Sequence, residues 1–478
     1  MKERRQVRPS CSKCVGALLL LLLPAGCAVQ HIPPAPLAAG GMGAALTSRS
    51  LQDEGLRRFL AENLGPAAAA PRAEWDFDSL AWVAFYFNPT LDVARAQWEA
   101  AHAAVTTAGA RPNPTLSLVP GYNTNPDAGI SPWFPAISAD FLFSTTGKTG
   151  HRVAAAKFAD QSARYDVLAA VWKARGDLRR ALLERVAAER RHAALQNQTT
   201  VQQRVLTLLE QRLQAGAISS AELATTRVAL VRAQNDLADS QRLSAAALQH
   251  VAQALGLPVE AISDLKCSPP AAPESLTGPA LATARRVALQ SRADVLSALA
   301  RYQAAEEALA EQLALQYPDF HLGPGYQWDQ GANKWSLALT FELPVINHNQ
   351  GPIAEAVARR KEAAAQVVLV QSQVIAEIDA AASAQASATD RSNGLMRLQD
   401  ALTRQQASLR ARLAAGSADQ LEVSTAELEI AAGQLALLDA QAQAAQAAGQ
   451  MEDALQVPFA RLETLIAPSR AATSTSSP

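Results

Sequence analysis

Two hydrophobic rhythms run along this chain. The first recurs every seven residues: Leu223, Leu230 and Leu237 form one stripe, and Val423, Ile430 and Leu437 form another. Val201, Val205 and Leu208 continue the pattern upstream, with Gln202, Gln203 and Arg204 facing away. Such spacing lines one face of a helix and builds a coiled-coil seam or the core of a helical bundle. The stretch from Arg152 to Ala215 predicts one helix of roughly 95 Å at ~1.5 Å per residue, longer than a compact globule needs.

The second rhythm alternates. In Trp335-Ser336-Leu337-Ala338-Leu339-Thr340-Phe341-Glu342-Leu343 every odd position is apolar and every even one small or polar. Ile137, Ala139, Phe141 and Phe143 alternate less cleanly with Ser138, Asp140 and Leu142. About nine residues of this pattern suit a tilted transmembrane strand; a small soluble sheet packed on helices would also read this way. Aromatic residues gather in these stretches: Tyr122, Trp133, Phe134, Phe141 and Phe143, then Tyr317, Phe320, Tyr326, Trp328, Trp335 and Phe341. Interfacial girdles concentrate aromatics like this. Pro120 and Pro324 interrupt strand-like runs and are expected at bulges or strand ends.

The two rhythms occur twice, in the same order. Arg212-Leu213-Gln214-Ala215-Gly216 is echoed by Arg412-Leu413-Ala414-Ala415-Gly416, and Ala254-Leu255-Gly256-Leu257-Pro258 by Ala454-Leu455-Gln456-Val457-Pro458. Upstream, the run from Pro114 to Tyr122 matches the run from Pro318 to Tyr326. Each copy predicts a helix (Leu91 to Gly109; Asp294 to Leu315), two strands, a long helix, a Gly-marked break and a second helix. The expected division is repeat 1 over 75–270 and repeat 2 over 275–467. An extended, Pro/Gly/Ala-rich tether over 27–74 precedes them, with one short helix near Leu56 to Leu64, and a disordered Ser/Thr/Pro-rich tail over 468–478 follows.

Composition narrows the class. Apolar residues make up 49% of the 478, but aromatics only 5%, a balance that favours long Ala-rich helices over bulky cores. A net charge of −1 gives no basic face for nucleic acid. The first 26 residues read as a secretory signal: basic positions up to Lys13, then an apolar run from Val15 to Leu23 that is too short to span a bilayer. The run ends in Leu22-Leu23-Pro24-Ala25-Gly26-Cys27, similar to a bacterial lipoprotein box, which makes Cys27 the expected lipid attachment site. Ordinary cleavage nearby, with Cys27 left free, is the alternative. Cys11 and Cys14 fall in the segment to be removed, so an acylated Cys27 would leave Cys267 without a disulfide partner.

Two strands per repeat make four per chain. A sheet in lipid cannot leave edge N–H and C=O groups unpaired, and closure takes at least about eight strands. Four strands therefore require partner copies. Two chains would give a filled barrel, and three would give twelve strands around a lumen.

The duplicated Arg-x-x-x-Gly breaks, the strand pairs, and the phrases Asn88-Pro89-Thr90-Leu91, Arg292-Ala293-Asp294-Val295-Leu296 and Leu343-Pro344-Val345-Ile346-Asn347-His348-Asn349-Gln350-Gly351 resemble the TolC-like outer-membrane efflux factor family from about Trp75 to Ile466. The last phrase and Gly147-Lys148-Thr149-Gly150-His151-Arg152 are similar to the lipoprotein outer components of heavy-metal efflux systems. The resemblance implies a mainly α fold with a small β membrane part: a homotrimer with a twelve-strand β-barrel in the outer membrane and an α-barrel crossing the periplasm. It implies an exit duct that meets a periplasmic adaptor and an inner-membrane pump of the RND type. The tip and adaptor contact would comprise Arg212, Leu213, Gly216, Ser219, Arg412, Leu413, Gly416 and Ser417. Glu222 and Glu422 match the family's constriction acids and are candidates for a gate ring; acids favoured by a helix N-terminus are the plainer reading. Here Glu222-Leu223-Ala224 and Glu422-Val423-Ser424 replace the usual Asp-Val-Leu.

Other chemistry is not indicated. Gly147-Lys148-Thr149 lacks the earlier glycine of a phosphate loop, since Leu142 stands there. The seven histidines show no metal-ligand spacing, and no cofactor or catalytic constellation is expected. A type I secretion channel and a periplasmic coiled-coil scaffold without a pore are the alternative functions.

Overall fold

The structure, a computed structural model, describes residues 32–70, 72, 74–268 and 277–456. Cys27, the signal segment and the tail over 468–478 lie outside the described residues. The chain divides into two units, Met1–Ser48 and Arg49–Pro478. The described part of the first holds one helix, α1 (Ala39–Thr47), with no buried residue.

The second unit opens with α2 (Glu54–Leu64) and a 3₁₀ turn, Pro66–Ala69. Asp53 caps α2 by accepting the Leu56 N–H at 2.8 Å. Leu56 and Leu60, four apart on one face, are fully packed. The second half of the expected tether is therefore part of a core, joined there by Leu80 and Val83 of α3 (Phe77–Phe87), Leu91 of α4 (Pro89–Gly109), and Leu255 and Ile262 farther on. Asn88 starts α4 by accepting the Thr90 N–H at 3.0 Å, with Pro89 set in the first turn where no donor is missed.

Each repeat then follows the predicted grammar. Strands β1 (Thr115–Val119) and β2 (Ala136–Phe143) precede α5 (Lys148–Gln214) and α6 (Ser220–Leu255). In the second copy, α7 (Gly278–Ser291) and α8 (Ala293–Ala314) precede β3 (Phe320–Asp329), β4 (Ala332–Phe341), α9 (Gln350–Ala414) and α10 (Gln420–Leu455). Helices α5 and α9 have 67 and 65 residues, about 100 Å each at ~1.5 Å per residue. The upstream seam settles on Val201, Val205, Leu206 and Leu209, leaving Leu208 half-buried rather than central.

Neighbour relations order the long helices as α6–α5–α10–α9; nearer the strands the order is α4–α5–α8–α9. The four strands form one antiparallel sheet, β1–β2–β3–β4. Pro324 does not sit at a bulge or strand end. It lies in mid-strand β3, opposite Leu337 of β4, with register unchanged. Its missing N–H instead opens a gap in the β2–β3 ladder, which runs from Ser138–Gly325 to Phe141–Leu322 with no pairing between. Pro120 lies just past β1, as expected.

The repeats are also tied by buried charge. Arg179 of α5 meets Glu452 and Asp453 of α10 at 2.9 Å each; within repeat 2, Arg292 meets Asp294 at 2.6 Å and Glu377 at 2.9 Å. Burial pushes the Asp453 carboxyl above its ordinary range, partly offset by Arg179.

Candidate functional site

The sheet has two chemically different faces. Register places Leu118 against Ile137, Ile137 against Tyr326, and Tyr326 against Trp335. It likewise aligns Phe141, Leu322 and Leu339, and then Phe143, Phe320 and Phe341. Side chains in one row share one face, so this face is continuously apolar. On β4 it is bare: Trp335, Leu337 and Leu339 are 80, 68 and 61% exposed. The other face carries Ser117, Ser138, Asp140, His321, Gly323, Gly325, Ser336, Ala338 and Thr340. His321 and Asp140 pair there at 2.6 Å. An apolar face opposite a polar one is the arrangement of a sheet between lipid and water.

Aromatics mark both ends of the apolar face. Tyr122 and Trp133 pack edge to face at the hairpin end, and Tyr326 contacts Trp335. At the helix end Phe143 stacks on Phe320. The β3–β4 turn has positive φ at Gln330 and Gly331, the two-residue turn that matches strand twist.

The Gly147-Lys148-Thr149 motif has a structural task at the sheet–helix junction. Lys148 Nζ donates to the Tyr317 carbonyl at 2.6 Å and to Asp319 at 2.8 Å, while the Thr145 N–H donates to Asp319 at 2.8 Å. The start of α5 is thereby pinned to the start of β3.

At the far end of the long helices lie two turns. Gly216 and Gly416 have φ of +71° and +70°, the left-handed conformation that lets a helix stop and reverse. In each, the residue after the glycine donates its N–H back to the Arg212 or Arg412 carbonyl at 2.9 Å. Ser219 then caps α6 through the Glu222 N–H at 3.3 Å. Asp419 caps α10 through Leu421 at 2.7 Å and Glu422 at 3.0 Å. Beneath the turns, Val205, Leu206, Leu209, Leu223 and Leu230 pack with Leu213, Ile218, Leu421 and Leu428, so both hairpins share one small core.

The duplicated arginines act differently. Arg212 reaches across to Asp419 of the other hairpin, whereas Arg412 folds onto its own turn, at 3.2 Å from the Ser417 carbonyl. The Ser417 hydroxyl donates to the Arg412 carbonyl at 3.2 Å. A second tie between hairpins is Glu427, held by Arg204 at 2.7 Å and Arg410 at 2.8 Å. Sequence reading missed both ties, because the pairing depends on α5 lying beside α10. Glu222 and Glu422 are exposed in the first turns of α6 and α10, next to the buried Leu223 and Val423. Leu413 is half-buried.

Residues 86–257, from the end of α3 through α6, match the family model described as outer membrane efflux protein. This segment is similar to that family. No curated protein matches the chain by sequence. Solved structures do match it in fold. The outer membrane protein VceC from Vibrio cholerae gives a TM-score of 0.65 at 20% identity, over 79% of this chain and 95% of that one. The outer-membrane channel OprN gives 0.67 at 17% identity, over 89% and 98%. The CmeC outer membrane channel of Campylobacter jejuni gives 0.64 at 15% identity, over 89% and 93%. The likeness covers more of the chain than the family match and reaches into repeat 2, so both copies share the fold of these structures.

Proposed function

We propose that the chain is one protomer of a trimeric exit duct in the outer membrane, a passive conduit in a tripartite efflux system. The observation that carries this reading is a shared pair of open edges. The sheet ends on β1 and β4, and the helical layers end on α4 and α6 at one side and on α9 at the other. Repeat 1 elements thus border one edge throughout, and repeat 2 elements border the other. Unlike edges join head to tail, and head-to-tail contacts that close form rings. Lipid forbids leaving β1 and β4 unpaired, and the exposed apolar residues Val228 and Val231 of α6 and Leu398 of α9, at similar distances from their turns, add apolar surface on the two helical edges. Three copies give twelve strands and a lumen, with the face bearing His321 and Ser336 turned inward.

In this reading the Gly216 and Gly416 turns point into the periplasm and engage an adaptor that links the duct to an inner-membrane pump, with an RND pump the expected type. Arg212, Leu213, Ser219, Arg412, Leu413 and Ser417 belong to that contact. Glu222 and Glu422 form acidic rings at the entrance, and Cys27 carries lipid in the outer membrane. Assembly is the test. The protein should purify in detergent as a trimer that inserts into planar bilayers and conducts; a stable monomer with full conductance would overturn the reading.

A further inference from the structure

The two strand-to-helix junctions are built differently. In repeat 1, residues 144–146 are Ser-Thr-Thr, tied down around Lys148 and Asp319. In repeat 2, residues 342–349 join β4 to α9, and Leu343, Val345 and Ile346 are 66, 73 and 91% exposed. Three bare aliphatic side chains on one loop call for an apolar partner.

The apolar face of β4 is short for a bilayer. From Trp335 to Phe341 it measures about 20 Å at ~3.4 Å per residue, and about 15 Å in height at a tilt of ~40°. Outward apolar bands of membrane barrels are about 25 Å tall. The shortfall lies at the helix end, because Asn333, the next residue of β4 on this face, accepts a hydrogen bond from the Tyr326 hydroxyl at 2.6 Å and marks the polar limit at the turn. Leu343, Val345 and Ile346 follow at that helix end, on the chain that leaves the lipid-facing edge strand. Asn347, His348 and Asn349 then restore polarity before α9 begins.

We propose that the loop bearing Leu343, Val345 and Ile346 is immersed among phospholipid acyl chains of the periplasmic leaflet, completing the apolar belt that β4 leaves short. The proposal rests on the channel reading above. The repeat 1 junction, being polar, stays at the water boundary, so the assembled ring would alternate lipid-anchored and water-exposed junctions.

The test uses full-length protein with Cys27→Ser and Cys267→Ser, carrying an environment-sensitive fluorophore at Ile346→Cys or, as control, at Ser144→Cys. Signal is measured against the same background without either new cysteine. The trimer is reconstituted in phosphatidylcholine vesicles with plain or brominated acyl chains. Brominated lipid should quench the label at 346 severalfold more than the label at 144. Equal quenching in an inserted trimer overturns the loop assignment alone. So does unquenched fluorescence at 346 accompanied by oxidative Ile346→Cys cross-linking to a neighbouring copy, which would make the loop a subunit contact. A chain that never inserts overturns the channel reading and the loop assignment together.

Discussion

Repeats 1 and 2 follow one grammar and bury themselves unequally. In α5, Val167, Val171, Leu178 and Leu182 are wholly inaccessible: α4 and α6 cover one side and α8 and α10 the other, and Val171, Leu178 and Leu182 also join the core built by α2 and α3. In α9 the buried positions number six, among them Ala356, Val374 and Ile378. Val368, Leu369, Met396 and Leu398 of α9 stand exposed. An 18-residue window of this helix has a mean hydropathy of 1.3 with only 17% of it buried. Both helices are long and rich in alanine and aliphatics, so the difference comes from place in the layer. A central helix finds its partners within the chain; in the proposed trimer an edge helix finds them in another copy.

The largest effect expected from this contrast is on stability. Leu178→Ala opens a cavity in a core that cannot collapse freely and should cost ~2–5 kcal/mol. Denaturant unfolding of the detergent-solubilised protein measures it. Leu398→Ala, on the bare face of α9, should change the stability of the isolated chain by less than ~0.5 kcal/mol. Its effect should appear as a lower temperature of trimer dissociation on a native gel. Similar unfolding costs for the two substitutions would show that α9 is no edge.

That contrast also separates what the sequence discloses from what it conceals. Helix and strand periods depend on neighbours along the chain, so Leu223, Leu230 and the alternation from Trp335 to Phe341 declare their elements directly. Duplication is equally visible, since the tip glycines recur in matching contexts. Burial of Leu56 and Leu60 was hidden within a Pro/Gly/Ala-rich stretch whose composition resembles a linker. The mid-strand place of Pro324 was hidden too, because losing one ladder bond can be tolerated when the other edge of the strand stays paired. The ties of Arg212 to Asp419 and of Glu427 to Arg204 and Arg410 follow from helix order, which no local pattern encodes.

A second, smaller effect concerns the acids at the tip. If Glu222 and Glu422 form rings in the trimer, each ring sets three carboxylates around one axis, a cation-attracting constriction. The double substitution Glu222→Gln/Glu422→Gln should reduce cation preference and weaken block by divalent cations in planar-bilayer recordings. If both stay unchanged, these are helix N-terminal acids facing solvent. The comparison between repeats sharpens here as well: Glu222→Gln and Glu422→Gln made singly report which hairpin lines the narrower passage.

The smallest expected effect distinguishes the two caps. Ser219 and Asp419 occupy equivalent positions, but only Asp419 titrates. The N–H of Glu422 donates to the Asp419 carboxylate, and Arg212 and the Leu421 N–H add to that hold, so its pKa lies below the ordinary 3.8. The sign follows. A carboxyl whose pKa is lower folded than unfolded stabilises the fold fully above its ordinary value, and loses that contribution as pH falls through the lower folded value. Below about pH 4 the second hairpin should therefore loosen at the start of α10, while the Ser219 cap of α6 persists. Loss of a capping side chain costs ~1 kcal/mol or less, and the half-exposed pair with Arg212 adds little, so the change is local fraying rather than unfolding. Amide exchange at Leu421 and Glu422, corrected for intrinsic rates, should speed up between pH 5 and pH 3 relative to exchange at Glu222. Asp419→Asn keeps a capping oxygen without the titration and should flatten that dependence. Equal acceleration at both hairpins, or a pH response that survives Asp419→Asn, would place the acid sensitivity of the tip on some other group.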